Sequence, residues 1–290
     1  MQGDIQKIIT PKKFILNGLI LGPKKPKNIF IYLHGLTGNL FSHMVLFEKL
    51  VDKNSAVLTF NNRGYGVINR IKQLTPKTKK GYKSYVMGMA HEVFADCVDD
   101  IEGAVKCARE YGATNIFLVG HSTGCQKSVY YLAKKSAPIV KGAILLAPMS
   151  DYADSVVCND KKVLAKAVGY AQKMVKEGKK HELMPVDIWK DTVDAQRFLS
   201  LNTRESIEEI FTYATSDNPK ILNHVVTPLL SILAENDEFK ERPISKISEW
   251  FEINMNSRKS QTKIIKKSLH SFIGHEDEAN KMIKNWVKSL

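Results

Sequence analysis

Short apolar runs recur along this chain, most of them followed by a stretch whose apolar residues return every three or four positions. Ile29-Phe30-Ile31-Tyr32-Leu33 is a continuous apolar run, which predicts a buried strand ending at His34-Gly35. Met44 to Leu50 predicts a helix and Ala56 to Phe60 the next strand. Phe94, Cys97, Val98, Ile101, Ala104, Val105 and Ala108 recur at helical spacing, so an amphipathic helix should pack its apolar stripe on a sheet. Asn115 to Val119 reads as a strand, Cys125 to Lys135 as a helix, and Ala143 to Ala147 as a further strand. Pro228 to Ala234 and Thr262 to Lys266 add two more. A last helix carries Ala279, Met282, Ile283, Trp286 and Val287 on one side, and Phe14 to Leu21 predicts a first strand or hairpin. The alternation predicts an α/β fold, a mostly parallel central sheet with helices on both faces.

Between Ser150 and about Asn223 the strand rhythm stops. Val163 to Glu177, Asp191 to Ser200 and Ser206 to Tyr213 all have helical patterns. A plain connection between sheet strands is far shorter than this. The expected organisation is a core of residues 1–150 and 224–290, with residues 151–223 inserted as a helical cap over the sheet's carboxyl edge. Tyr152, Tyr170, Met174, Trp189, Phe198 and Phe211 are its candidate pocket residues, although their spacing suits the cap's own core equally well.

Composition narrows this picture only slightly. With 290 residues, 43% hydrophobic and 25% charged, the chain can bury a large core plus an insertion. No apolar run approaches the ~20 residues that span a bilayer. Cys97, Cys107, Cys125 and Cys158 show no C-x-x-C spacing, so reduced thiols and a cytoplasmic location are expected. The net charge of +13 comes from lysines spread along the chain, with mild clusters at Lys72 to Lys83 and Lys161 to Lys180. Nucleic-acid binding wants basic residues gathered on one face, so no nucleic-acid partner is expected. The oligomeric state stays open.

The chemistry is concentrated in Gly120-His121-Ser122-Thr123-Gly124, which falls between a predicted strand and a predicted helix. A serine on such a sharp turn forms a nucleophile elbow, its Oγ held out at the sheet edge. Its strained backbone leaves no room for side chains two residues either side, hence the glycines. The helix that follows aims its first N–H groups at any anion formed there.

Together with His34-Gly35-Leu36-Thr37-Gly38, a late acid and a later histidine, this elbow resembles the α/β-hydrolase superfamily, over about Ile29 to Leu290. The elbow and Ala147-Pro148-Met149-Ser150-Asp151 are also similar to fungal siderophore-esterase-like enzymes. The His-Gly-Leu-Thr-Gly-Asn opening looks more like bacterial feruloyl and cinnamoyl esterases. The resemblance implies Ser122 as nucleophile, His270 as its base and Asp237 as the acid that orients the ring. His275 is the rival base, and Glu235, Glu238 and Asp151 are rival acids. It also implies an oxyanion hole formed by the backbone N–H groups of Leu36 and Thr123. His34 and His121 are expected to be structural neighbours, Arg63 a structural loop arginine and Cys125 a packed thiol. His91-Glu92 lacks the second histidine of a zinc motif.

The function implied is hydrolysis of small-molecule carboxylic esters through an acyl-enzyme, with no metal or organic cofactor. Amide or thioester hydrolysis, or acyl transfer, could run on the same three residues. A non-catalytic binding protein would be expected to have lost one of them.

Overall fold

A computed structural model describes residues 3–290. Strands β1 (Gly3–Ile9) and β2 (Phe14–Leu21) form an antiparallel hairpin, followed by β3 (Asn28–Leu33), helix α1 (Met44–Leu50) and β4 (Ser55–Phe60). A second hairpin, β5 (Asn69–Leu74) and β6 (Tyr82–Met87), leads to α2 (Cys97–Glu110), β7 (Asn115–His121), α3 (Thr123–Lys134) and β8 (Val140–Leu146). Four helices come next: α4 (Asp151–Cys158), α5 (Lys161–Lys176), α6 (Ala195–Asn202) and the single turn α7 (Lys220–Asn223). The chain closes with β9 (Leu229–Ala234), α8 (Ile244–Asn254), β10 (Gln261–Ile265) and α9 (Glu276–Ser289).

The ten strands form one sheet. Its path runs β10-β9-β8-β7-β3-β4-β2-β5-β6, with β1 paired to β2. From β10 to β4 every pairing is parallel, and the pairings of β2, β5 and β6 are antiparallel. The inner parallel strands β3, β4, β7, β8 and β9 are largely buried on both faces, which is why they read as apolar runs, while the edge strand β10 buries only Ile265. Alternation divides each strand between two cores. Ile29, Ile31 and Leu33 of β3 join Ile116 and Leu118 of β7 beneath α2, α3 and α8. Phe30 and Tyr32 join Phe117 and Val119 beneath α1 and α9. Fully burying one such large side chain contributes about 1.5–3 kcal/mol.

Three differences from the sequence expectations have physical causes. β1, β5 and β6 were not foreseen, and the β5–β6 hairpin absorbs part of the Lys72 to Lys83 cluster. β6 is an exposed edge with little apolar alternation to mark it. The short α4 and α8 were also missed. The third difference is a correction, because Ser206 to Tyr213 is not a helix but a series of turns ending in a 3-10 turn at Thr212–Ala214. Glu208 is drawn towards Arg197 and Ser200, while Ile210, Phe211 and Tyr213 sink into the main core. Tertiary partners on different sides therefore override the helical spacing.

The helices between β8 and β9 start where side chains take up their free N–H groups. Ser150 Oγ accepts from Ala153 N for α4, Asp160 from Lys162 N and Val163 N for α5, and Asp194 from Arg197 N for α6. α5, α6 and the stretch between them hold a core of their own, including Ala167, Ala171, Met174, Trp189 and Phe198. Met89 and Leu36 from the sheet side pack against it. Of the six expected pocket residues, Trp189 lines a cavity that shares residues with the one holding Ser122, and Tyr152 lines a separate groove between the helices. Met174 and Phe198 pack inside the segment, Phe211 lies in the main core, and Tyr170 is partly exposed.

Candidate active site

Ser122 is the single residue between β7 and α3, and its backbone is left-handed at φ 54°, ψ −126°. The elbow is clamped on both sides, since Ser122 N donates to Leu146 O at 3.0 Å and Cys125 N donates to Ser122 O at 2.8 Å. The glycines are demanded by contact distances. A Cβ on Gly120 would lie 2.3 Å from Gly124 O, and one on Gly124 would lie 2.0 Å from Leu33 O. A Cβ on Gly35 would meet Ser122 Cβ at 2.8 Å, so the loop after β3 reaches the serine only because that residue has no side chain. Nine non-glycine residues among those described have positive φ, and five frame this edge: Thr37, His43, Ser122, Ala147 and Phe272. Such concentration of backbone strain is a habit of functional sites.

Asp237 follows β9 and His270 follows β10, so the two outer parallel strands deliver them to the same edge. His270 Nδ1 donates to Asp237 Oδ2 at 2.9 Å, with both residues buried. The second carboxylate oxygen of Asp237 accepts from Phe239 N at 3.0 Å. Ser122 and His270 line one cavity of about 410 Å³, with Leu36, Met149, Asp154 and Phe239 among its other walls. Ser122 Oγ lies 3.8 Å from Met149 Sδ. Leu36 faces this cavity, and Thr123 is buried immediately behind the serine. Among the described residues, neither backbone N–H is taken up by a turn or sheet acceptor.

The rival residues have other partners. Asp151 Oδ2 accepts from Gln126 Nε2 at 2.8 Å on the cavity wall, and Glu235 Oε2 accepts from Lys267 N. Glu238 Oε2 accepts from the backbone N–H of His270 at 2.9 Å. His275 opens α9 and lies 4.0 Å from Glu278. Arg63 is buried away from the cavity. Its Nε donates to Asp100 at 2.7 Å and its NH2 to Asp99 at 3.0 Å, tying the loop after β4 to α2. Cys125 is a buried thiol directed at the Gly120 and Leu146 carbonyls.

Three further histidines surround the pair. His34 Nδ1 donates to Gly35 O at 3.0 Å, and burial together with the Lys127 charge lowers its pKa to about 4. His43 and His121 were not assigned a part in the site by sequence reasoning, yet both line the cavity. Their ring centroids are 4.3 Å apart, and His121 lies 4.9 Å from the His270 ring. Burial, followed by the neighbouring His270, lowers His43 to about 4; burial and both neighbouring histidines hold His121 well below the usual imidazole range. The two rings are therefore neutral at physiological pH. Tilted ring contacts across segments this distant in sequence leave no periodic signal to detect.

A buried ionic lattice lies under the elbow helix. Lys127 of α3 meets Glu92 at 2.6 Å, Glu92 meets Arg197 of α6 at 3.0 Å, and Arg197 reaches Glu208. All four side chains are almost completely buried. Burial alone would raise Glu92, but the Lys127 and Arg197 charges outweigh it and hold its pKa at about 2.

This fold is that of the α/β hydrolases. The siderophore hydrolase EstB from Aspergillus fumigatus superposes with a TM-score of 0.67 at 16% identity, covering 99% of this chain and 98% of that one. Est1E from Butyrivibrio proteoclasticus, solved with ferulic acid, gives 0.64 at 16% identity over 98% of both chains. At such identities the likeness is one of fold. A Mycoplasma genitalium protein named "Putative esterase/lipase 2" is 32% identical over 143 residues, covering 49% of this chain and 45% of that relative's length. More particularly, the chain belongs to the family of proteins of unknown function DUF1749, whose model matches residues 28–290.

Proposed function

We propose that this chain is a serine hydrolase acting on small-molecule carboxylic esters. The observation that carries the reading is the shared cavity: a serine on a strained elbow opens into the same space as a histidine whose Nδ1–H is bonded to a buried carboxylate. A neutral serine hydroxyl is a poor nucleophile and needs a base beside it. With Nδ1 carrying the hydrogen given to Asp237, His270 Nε2 has a lone pair free to accept the Ser122 proton as Oγ attacks the ester carbonyl. The developing oxyanion takes hydrogen bonds from the Leu36 and Thr123 N–H groups, each commonly worth about 10²–10³ in rate. His270 then returns the proton to the departing alcohol. Water, activated by the same imidazole, releases the acid from the acyl-enzyme.

Residues 151–223 serve in this reading as the cap that shapes the substrate pocket. A second cavity of about 510 Å³, bordered by Trp189, Leu201 and Asn202, shares Leu36, Thr37, Asp151 and Asp154 with the first. It offers room for the acyl or alcohol portion of the ester. The similar proteins named for esterase, siderophore and ferulate chemistry make carboxylic esters the first substrates to try.

The test pairs fluorophosphonate labelling with hydrolysis of p-nitrophenyl esters from acetate to palmitate, for wild type and Ser122→Ala. Labelling and ester release that both vanish in the variant are the expected result, and the best chain length measures the pocket. A folded wild type that neither labels nor turns over this series, nor hydroxycinnamoyl or siderophore esters, would overturn the reading.

A further inference from the structure

His270 is held at three atoms by two segments, the loop after β9 and the end of β7. Its ring Nδ1 donates to Asp237, its backbone N–H donates to Glu238 Oε2 at 2.9 Å, and its backbone carbonyl accepts from His121 Nε2 at 2.9 Å. The last of these comes from the residue immediately before Ser122. Because a carbonyl oxygen can only accept, His121 must carry its hydrogen on Nε2. The ring centroids of His121 and His270 lie 4.9 Å apart with the planes tilted by 58°, and the edge-on Phe239 ring lies 4.8 Å from His270.

Resting on the serine-hydrolase reading above, we propose that His121 and Glu238 are positioning residues that grip the backbone of the base and set its distance to the nucleophile. The loop carrying His270 follows β10, an edge strand separated from β7 by β9 and β8. Asp237 fixes how the ring is turned about its own axis, but it cannot by itself fix how far the loop stands from Ser122. His121 supplies that fixed distance. It belongs to the last residue of the nucleophile's own strand, so its hydrogen bond ties the base loop directly to the elbow. Glu238 holds the other side of the same residue from the loop after β9. A rigid arrangement of this kind matters because a misplacement of about 1 Å can lower a rate by roughly 10²-fold.

The experiment compares His121→Phe, which keeps a ring and loses the donor, with His121→Gln, whose amide N–H reaches a similar position. Steady-state hydrolysis of a p-nitrophenyl ester is measured beside the rate of fluorophosphonate labelling and the melting temperature. H121F is expected to lower kcat by roughly 10- to 100-fold with KM changed less than about twofold, and its labelling rate should fall in parallel. H121Q should recover most of that loss. Wild-type kcat in H121F would overturn the proposal, and so would H121Q falling as far as H121F, because ring packing would then be the whole effect. Should H121F fail to fold, Glu238→Ala carries the test from the exposed side of the clamp, with E238Q expected to restore the rate and equal rates overturning the proposal. Fluorophosphonate labelling that survives in Ser122→Ala would instead remove the serine reading itself, an outcome distinct from failure of the clamp.

Discussion

At the scale of single residues, Ser122 shows how closely backbone and chemistry are bound together. Its left-handed φ is rare for a residue with a side chain, and the surrounding glycines exist to permit it. The Gly-x-Ser-x-Gly pattern was readable in the sequence because steric exclusion writes itself as residue identity. Asp237 and His270, singled out because the α/β-hydrolase resemblance expects an acid and a histidine just after predicted strands, are brought into contact at 2.9 Å. Glu238 and His121 were not recognised as partners of the base, since the bonds involved are to the backbone of His270 and any sequence there would offer them. For the acid, Asp237→Asn is expected to lower kcat by about 10⁴-fold, as an amide no longer favours the productive tautomer or the charged imidazole. Circular dichroism should be unchanged and KM nearly so. If Asp151→Asn were the inactive variant, the acid would have to be reassigned to the start of α4.

The strand–turn–helix unit makes its own prediction at the scale of elements. Gly124→Ala puts a methyl group 2.0 Å from the Leu33 carbonyl, so either α3 or β3 must move. Overpacking of this sort costs about 1–3 kcal/mol, and it should reduce fluorophosphonate labelling along with the melting temperature. A drop in stability with labelling at the wild-type rate would show that the elbow tolerates the shift. Elements with one strong pattern, such as β3, α1, β7 and β9, could be located in the sequence to within a residue or two. Those whose residues divide between several environments could not. Ser206 to Tyr213 has a helical spacing, but its side chains are claimed by an ion lattice on one side and the main core on the other. The polar hairpin β5–β6 was missed for a related reason, since an edge strand needs few apolar residues to pair.

For the whole molecule, the Glu92–Lys127–Arg197–Glu208 lattice joins α3 to α6 and the turns after it. Removing one partner strands a buried charge, and Lys127→Met is expected to destabilise the fold by about 3–5 kcal/mol at pH 7. The pH dependence has a definite sign. Glu92 is depressed to about 2, so its contribution is fully present above the ordinary carboxylate range and is lost as pH falls through that range towards 2. The difference between wild type and K127M in urea should therefore narrow between about pH 4.5 and 2. A constant difference would mean that Glu92 is not the group responding. The net charge of +13 pointed to none of this, because the lysine that matters is one of the few that are buried.

The order of strands in the sheet has a consequence for how the site comes into being. β7, which leads into Ser122, lies among the inner parallel strands, while Asp237 and His270 follow β9 and β10, which extend the sheet on the β8 side. Both strands come after β7 and β8 in chain order. On the serine-hydrolase reading proposed above, a nascent chain that has emerged only through β8 has its elbow strand, its first loop and α1 to α3, but neither Asp237 nor His270 to withdraw the Ser122 proton. On that reading synthesis itself acts as a safety catch, and Ser122 is armed only once His270 has found the sheet edge.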